Sequence, residues 1–180
     1  QGLIQLYHYD SLFETVHTSH PVRCFCEDED GNILIGTKGS GIKLLNPATK
    51  ELTDYLNESK GLISNSVYAL RRNKANDIFI GTEGNGINIL NAATGRLEKL
   101  EIPDKYPPFK AVYNIYFTNN DSLLWVGTSG YGLIKINISR EQGRYHVKGF
   151  RQYNSSDKNI SLNNDVVYAI TSDPEDNMLW

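Results

Sequence analysis

The feature that most constrains the fold of this chain is a glycine-rich pattern that occurs three times. An aliphatic residue, glycine, threonine, one variable residue and then Gly-x-Gly occupy positions 35–41, 80–86 and 126–132. Successive copies start 45 and 46 residues apart, a period that is typical of β-propeller blades. We therefore predict an all-β chain in which each copy marks one blade of four antiparallel strands.

The apolar residues inside one repeat predict its four strands. In the first repeat they form short runs near 22–28, 32–37, 41–46 and 51–56, separated by turn-forming clusters. The glycine-rich pattern is the turn between the second and third strands, where Gly-x-Gly lets the backbone reach positive φ. Equivalent inner strands begin at four valines that we expect to be buried between blades: Val22, Val67, Val112 and Val167.

The repeat register divides residues 1–180 into one partial propeller domain. Complete blades are predicted at three segments, 22–57, 67–101 and 112–153. Residues 3–9 are predicted to be the outer strand of a preceding blade, and residues 167–180 the first two strands of a following blade. The third repeat is longer than the others, and its extra residues at 139–143 and 154–164 are predicted to be loops.

The predicted arc of blades has two open edges. A closed ring of seven blades would need about 315 residues at this period. Exposed strand edges carry unpaired N–H and C=O groups and recruit further strands. We expect the remaining blades of a longer chain to complete these edges, or a second copy to pair with them as a homodimer. Closure of the arc into four blades is the alternative.

The composition excludes several classes of function. A net charge of −3 argues against a nucleic-acid partner. No apolar run reaches the ~18–20 residues of a membrane span, so we expect no membrane contact by this segment. Cys24 and Cys26 lie two apart in a predicted strand and point to the same face, which is poor geometry for a disulfide between them. We interpret both as small core residues.

The chain lacks the residue patterns of an enzyme. The glycine-rich pattern has no Lys-Ser or Lys-Thr pair after it, as a phosphate-binding loop would. His17, His20 and Glu14 lie close together in a predicted loop, but their spacing positions no further ligand. We therefore predict no catalytic residue, no metal site and no cofactor. A propeller enzyme such as a lyase would need clustered histidines and acids, which the sequence does not offer.

Three aromatic residues stand outside the repeat register and mark a candidate ligand site. Tyr131 replaces a small residue inside a Gly-x-Gly turn, and Tyr106 and Phe109 lie in the loop that starts at Pro103. Aromatic rings stack on the apolar faces of sugars, whose hydroxyl groups need polar partners. We expect the glycine-rich turns and the interblade loops to share one face. The candidate ligand-binding residues there are Tyr131, Glu83, Asn85, Lys38, Tyr106 and Phe109.

Strand alternation also predicts where the other turns and the repeated tyrosines lie. The hairpin turns at 30–31, 76–77 and 121–122 are expected on the face opposite the glycine-rich turns. Tyrosines recur at the second position of the inner strand, and we interpret them as packing residues rather than ligand contacts. They are Tyr68, Tyr113 and Tyr168.

Several motifs together resemble two-component regulator propeller repeats. They are the run Leu124-Trp125-Val126-Gly127-Thr128, the Gly-x-Gly turns, the segment Asn46-Pro47-Ala48-Thr49 and the apolar run at 162–170. The resemblance covers nearly the whole chain, and the register shared by three repeats makes it specific. Leu34 and Phe79 depart from the pattern, because the repeat usually has a tryptophan at this position.

The resemblance implies a sensor rather than an enzyme. Such repeats build the extracytoplasmic sensor region of hybrid two-component histidine kinases in Bacteroidetes. This chain is therefore expected to be a periplasmic, ligand-sensing part of an inner-membrane protein that responds to oligosaccharides. Its expected partners are the remaining blades and the kinase module of the parent chain, so any kinase activity would lie outside this segment. The alternative is a general protein-interaction scaffold without a small-molecule ligand.

Overall fold

The chain folds into antiparallel β-sheets. A computed structural model describes five stretches of it, with side chains from His17 onward: residues 2–8, 11–84, 86–158, 160–173 and 178–180. Within these residues there are three four-stranded sheets, two two-stranded sheets and a 3-10 helix at Glu58–Lys60. The prediction of an all-β fold built from four-stranded blades is confirmed.

Each blade is one sheet whose strands follow chain order. Ahead of the blades stand β1 (Gly2–His8) and β2 (Ser11–Thr18). The first blade contains β3 (Val22–Glu27), β4 (Ile33–Thr37), β5 (Ile42–Leu45) and β6 (Leu52–Leu56). The second contains β7 (Val67–Arg72), β8 (Ile78–Thr82), β9 (Ile87–Leu90) and β10 (Leu97–Lys99). The third contains β11 (Val112–Thr118), β12 (Leu123–Thr128), β13 (Leu133–Glu141) and β14 (Arg144–Tyr153).

Both ends of the chain form short sheets of their own. β1 pairs with β2, a strand that the sequence did not predict, so His17 lies in a strand instead of a loop. At the other end β15 (Ser172–Asp173) pairs with β16 (Met178–Leu179). The assignment of residues 3–9 and 167–180 to neighbouring blades stays a prediction. The strand predicted to begin at Val167 is wrong in its start, because residues 167–171 are in no strand and β15 begins only at Ser172.

Residues 139–143, predicted to be a loop, instead lengthen the last hairpin of the third blade. β13 continues to Glu141 and β14 begins at Arg144, with Gln142 and Gly143 as the turn at φ of 51° and 81°. Two successive positive φ values are typical of a tight hairpin turn whose twist matches that of its strands. The extra residues therefore extend a hairpin that reaches the second blade.

The inner strands pack against one another. β3 contacts β7, and β7 contacts β11. Val67 and Val112, at the start of β7 and β11, are fully buried, whereas Val22 and Val167 are half-buried. Burial between blades is thus confirmed at Val67 and Val112, and it is incomplete at the other two valines.

The first glycine of each glycine-rich pattern is required by packing between blades. A Cβ atom added to Gly81 would lie 2.5 Å from Cγ1 of Val112 and 2.8 Å from its carbonyl oxygen. The same construction on Gly36 reaches Cγ1 of Val67 at 2.9 Å, and on Gly127 it reaches the carbonyl oxygen of Val167 at 2.6 Å. Each glycine-rich pattern therefore forms a turn and also packs closely against the chain at the next of the four valines.

Gly81→Ala should lower the free energy of unfolding by about 1–3 kcal/mol, because the added methyl group overpacks the interface between the second and third blades. Urea unfolding followed by circular dichroism measures the loss. In a double-mutant cycle with Val112→Ala, the loss should be smaller than the sum of the single losses, since the second change removes one of the clashing atoms. Additive losses would contradict this account of Gly81.

A buried polar network joins the second blade to the long hairpin of the third. The fully buried carboxylate of Asp77 accepts hydrogen bonds from the N–H of Ala92 and the hydroxyl of Tyr145, both at 2.8 Å. It also pairs with Arg140 at 3.1 Å. The Tyr145 hydroxyl accepts a hydrogen bond from the side-chain amide of Asn73 at 2.6 Å. These partners compensate the burial of the charge.

The two cysteines are free thiols, as the strand spacing predicts. Both are partly buried and pack against the core cluster between the first and second blades. Burial raises the pKa of Cys24 to about 12 and also raises the pKa of Cys26. Both thiols are therefore protonated at neutral pH, which makes them poor nucleophiles.

Candidate functional site

The glycine-rich turns are tied to the interblade loops by backbone hydrogen bonds. In the first blade the N–H groups of Gly39 and Gly41 donate to the carbonyl of Asn65, at 3.0 and 2.8 Å. In the third blade the corresponding turn donates twice to the carbonyl of Asp165, at 2.9 and 2.8 Å. The prediction that these turns and loops share one face is confirmed, and we call this the turn face.

The other hairpin turns meet one another on the opposite face. The amide of Asn76 donates to the Glu29 carboxylate at 3.0 Å, which joins the second blade to the first. The N–H of Lys74 donates to the Asp121 carboxylate at 2.6 Å, which joins it to the third. This arrangement confirms the second half of the prediction.

On the turn face the second blade departs from its neighbours. The N–H of Gly84 donates to the hydroxyl of Thr82 at 3.2 Å, a partner within its own turn. Asn85, one of the predicted ligand-binding residues, lies outside the described residues. Beside this turn opens a cleft of about 400 Å³, which we call the loop cleft. Its lining includes Gly86, Lys99, Glu101, Asp104, Tyr106 and Phe109.

Two predicted aromatic residues form one wall of the loop cleft. The ring of Tyr106 stacks on that of Phe150, with 4.9 Å between ring centres and 20° between planes. Phe109 is 2% exposed and lies 6.3 Å from the same Phe150 ring. The amine of Lys105 lies 5.0 Å from the centre of the Tyr106 ring. Phe109 is therefore a buried packing residue behind this wall, and half-buried Tyr106 provides the part of the wall that solvent can reach.

Tyr131 lies in the turn of the third blade and is not part of the cleft lining. It is half-buried and packs against the same core cluster that contains Phe109. Its carbonyl accepts a hydrogen bond from the side chain of Gln152 at 2.8 Å, and its N–H donates to Thr128 at 3.2 Å. The contact with this cluster gives the Tyr131 side chain a packing role, and the hydrogen bonds hold its backbone in the turn.

The two predicted charged residues are not among those that line the loop cleft. Lys38 is exposed in the first blade, and its N–H donates to the carbonyl of Pro21 at 2.9 Å. Glu83 is exposed, and its charge adds to the effect of burial in raising the pKa of Tyr68, an inner-strand residue. Of the six predicted residues, the structure brings Tyr106 and Phe109 together.

The sequence missed the charged lining of the loop cleft. Lys99, Glu101 and Asp104 surround the aromatic wall with one amine and two carboxylates. These groups bond to hydroxyl groups, while the Tyr106 ring offers an apolar surface. The signal that could have found them is the proline-bearing loop itself, because the three charges lie within or next to it.

The packing interpretation of the inner-strand tyrosines is wrong for Tyr168, which is 72% exposed. Tyr68 and Tyr113 are half-buried. Their ring centres lie 5.1 Å apart at an interplanar angle of 86°. The inner strands therefore present aromatic surface that the repeat pattern alone assigns to the core.

In the described part of the chain, no group of three or more His, Cys, Asp or Glu side chains is arranged to hold a metal ion. The same residues include no helix of the length and apolarity that a membrane crossing requires.

Comparison with solved structures shows that the chain has the fold of part of a β-propeller. It is similar to the extracellular domain of BT3049 from B. thetaiotaomicron, described as a hybrid two component system, with a TM-score of 0.68, 23% identity and 93% of this chain covered. It is also similar to the extracellular domain of BT4673 from the same organism, with a TM-score of 0.61, 21% identity and 99% covered. The chain spans 22% and 28% of those two chains.

A family model matches a shorter stretch of the chain. Residues 18–39 match the two component regulator propeller family, which confirms the resemblance predicted from the motifs. The WD40 β-propeller domain of Doa1 is also similar, with a TM-score of 0.59, 23% identity, 78% of this chain and 44% of that chain covered. No curated protein matches the sequence.

Proposed function

We propose that this chain is a ligand-sensing segment of the extracytoplasmic, periplasmic region of a hybrid two-component sensor, and that its ligand is an oligosaccharide. The likeness to the extracellular domain of BT3049, described as a hybrid two component system from B. thetaiotaomicron, supports the sensor class and the location. In this proposal the remaining blades and a kinase module of the parent chain receive the signal. This segment itself carries no catalytic step.

The loop cleft carries the proposal of a saccharide ligand. Its volume of about 400 Å³ is within the range of small-ligand sites. An accessible tyrosine ring beside an amine and two carboxylates matches the alternation of apolar faces and hydroxyl groups on a sugar. Glycine suits position 86 because the backbone φ there is 97°, and a Cβ atom added to it would make only ordinary contact with the Lys99 side chain, at 3.5 Å.

Isothermal titration calorimetry with maltotetraose, cellotetraose and tetragalacturonate tests the proposal. Tyr106→Ala and Lys99→Ala should weaken the binding of a saccharide that enters the cleft by about tenfold each. Tyr55→Ala, which removes a half-buried ring from the first blade, is the control for general loss of packing. Unchanged affinity in both cleft variants would refute the cleft as the site. Binding of none of the three probes would favour the scaffold alternative.

A further inference from the structure

The inner strands form a second concave surface, which shares no lining residue with the loop cleft. It is a groove of about 580 Å³, which we call the inner groove. Residues from all three inner strands and from the segment before β15 line it. The lining residues that bear on its chemistry are Arg23, Tyr68, Arg71, Tyr113, Asn114 and Tyr168.

A β-bulge at the same position of each inner strand determines which side chains face this groove. In β3 the pairing with β4 passes from Val22 to Cys24, so Arg23 is left without a partner in the register. The pairing of β7 skips Tyr68 and that of β11 skips Tyr113 in the same way. Such bulges re-aim a side chain out of the regular alternation of the strand. The second residue of each inner strand therefore lines the groove, where Arg23 is exposed and Tyr68 and Tyr113 are half-buried.

The tyrosines of the groove form a continuous aromatic row. Tyr68 meets Tyr113 edge to face, with ring centres 5.1 Å apart. Tyr113 and Tyr168 are stacked, with ring centres 5.2 Å apart and 9° between planes. Because Tyr113 covers one face of the Tyr168 ring and Tyr168 is 72% exposed, the other face is open to a ligand. An open, flat ring of this kind is a stacking surface.

Two guanidinium groups accompany the row. Arg23 and Arg71 are exposed, line the groove, and form no ion pair with any residue in the described part of the chain. The lining itself contains no carboxylate. Burial and then the charge of Glu83 raise the pKa of Tyr68, whereas the charge of Arg23 lowers it. The groove therefore offers positive charge beside aromatic surface.

We propose that the inner groove binds an acidic saccharide, a chain of sugar rings that carries carboxylate or sulfate groups. A sugar ring stacks on the open face of Tyr168, and the anionic groups pair with Arg23 and Arg71. Guanidinium groups suit this role, because their planar fork binds carboxylate and sulfate oxygens in pairs. The inference rests on the proposed function only for the saccharide class, since it places the contact in a different part of the molecule.

The groove favours an acidic saccharide over other ligands for electrostatic reasons. A neutral saccharide would cover the two guanidinium groups without supplying an anionic partner, which costs free energy. A nucleic acid would meet a chain with a net charge of −3, whereas binding to its phosphates depends on an excess of positive charge. A second copy of this chain is the remaining occupant, and the test below detects it.

The test compares three tetrasaccharides by calorimetry: tetragalacturonate, a sulfated chondroitin tetrasaccharide and the neutral maltotetraose. We expect one of the two acidic probes to bind, and its affinity to fall with added NaCl. Tyr168→Ala and Arg23→Gln should each weaken that binding about tenfold. Arg96→Gln, an exposed arginine of the second blade outside the groove, should leave it unchanged. Both groove variants change exposed residues, and thermal melting checks that they fold.

Each of the other outcomes overturns the inference. If neither acidic probe binds, or if maltotetraose binds with equal affinity, the groove is not a site for acidic saccharides. Binding that is lost in Tyr106→Ala and kept in the groove variants would move the ligand to the loop cleft, which supports the proposed function while refuting this inference. Sedimentation analysis that shows a dimer dissociating in Arg23→Gln would assign the groove to a second copy of the chain.

Discussion

Asp77→Ala is expected to lower the free energy of unfolding by about 3–5 kcal/mol. The substitution removes a fully buried carboxylate on which the N–H of Ala92, the hydroxyl of Tyr145 and the guanidinium of Arg140 all converge. The first two groups are then left without an acceptor inside the protein, and the cation loses its partner. Such one-sided removal costs more than the pair itself contributes, because the remaining groups keep their desolvation penalty.

Urea unfolding of the wild type and of two milder variants shows how much of this loss comes from the charge and how much from single hydrogen bonds. Asp77→Asn keeps the volume and one acceptor oxygen, so it should cost less than Asp77→Ala. Tyr145→Phe removes one hydroxyl that joins Asp77 to Asn73 and should cost about 1–2 kcal/mol. Arg96→Ala, an exposed substitution, should change stability by less than about 0.5 kcal/mol. If Asp77→Ala costs no more than Arg96→Ala, the network does not hold the two blades together.

The same network has a pH signature. Burial, followed by the hydrogen bond to Asp77, raises the pKa of Tyr145 to about 12 from its ordinary value of 10. The folded protein therefore retains the tyrosine proton where the unfolded chain loses it. The contribution of Tyr145 is fully present below pH 10 and is lost as the pH rises to about 12. Tyr145→Phe should show a flatter stability profile between these two values.

The blades were predictable because the repeat specifies their strands three times over. The long hairpin of the third blade was not, since its extra residues have no counterpart in the other repeats. The side chains of Arg140 and Tyr145 reach Asp77 only because that hairpin extends beyond the sheet. In the sequence, Asp77 looks like one of several variable polar residues in a hairpin turn, and its role depends on residues more than sixty positions away.

Site residues that depart from the repeat pattern could be predicted from the sequence. Groove residues that follow the repeat pattern could not. Tyr106 and Phe109 stood out because nothing in the register explains them, and the structure places them in one cleft. Tyr113 and Tyr168 follow the register and so resembled core residues. A β-bulge at Tyr113 changes the direction of its side chain without changing the sequence spacing, and Tyr168 lies outside any strand, so the inner groove left no signal in the sequence.

Val67→Asp tests the blade interface itself and should cost about 3–5 kcal/mol. Val67 is fully buried, and its Cγ1 lies where a Cβ atom on Gly36 would come within 2.9 Å. It belongs to an apolar cluster that includes Leu34 and Ile80. A carboxylate at this position would therefore be surrounded by apolar side chains. Urea unfolding at neutral pH measures the loss.

Two controls separate buried charge from simple loss of packing at this position. Val67→Thr keeps the shape and adds a neutral hydroxyl group, so its cost should be smaller and independent of pH. Burial raises the pKa of an aspartate, so the penalty of Val67→Asp should grow as the pH rises above the ordinary value of about 3.9. Val22→Asp, at the half-buried equivalent in the first blade, should cost less than Val67→Asp. Equal losses at both positions would show that burial between blades does not set the penalty.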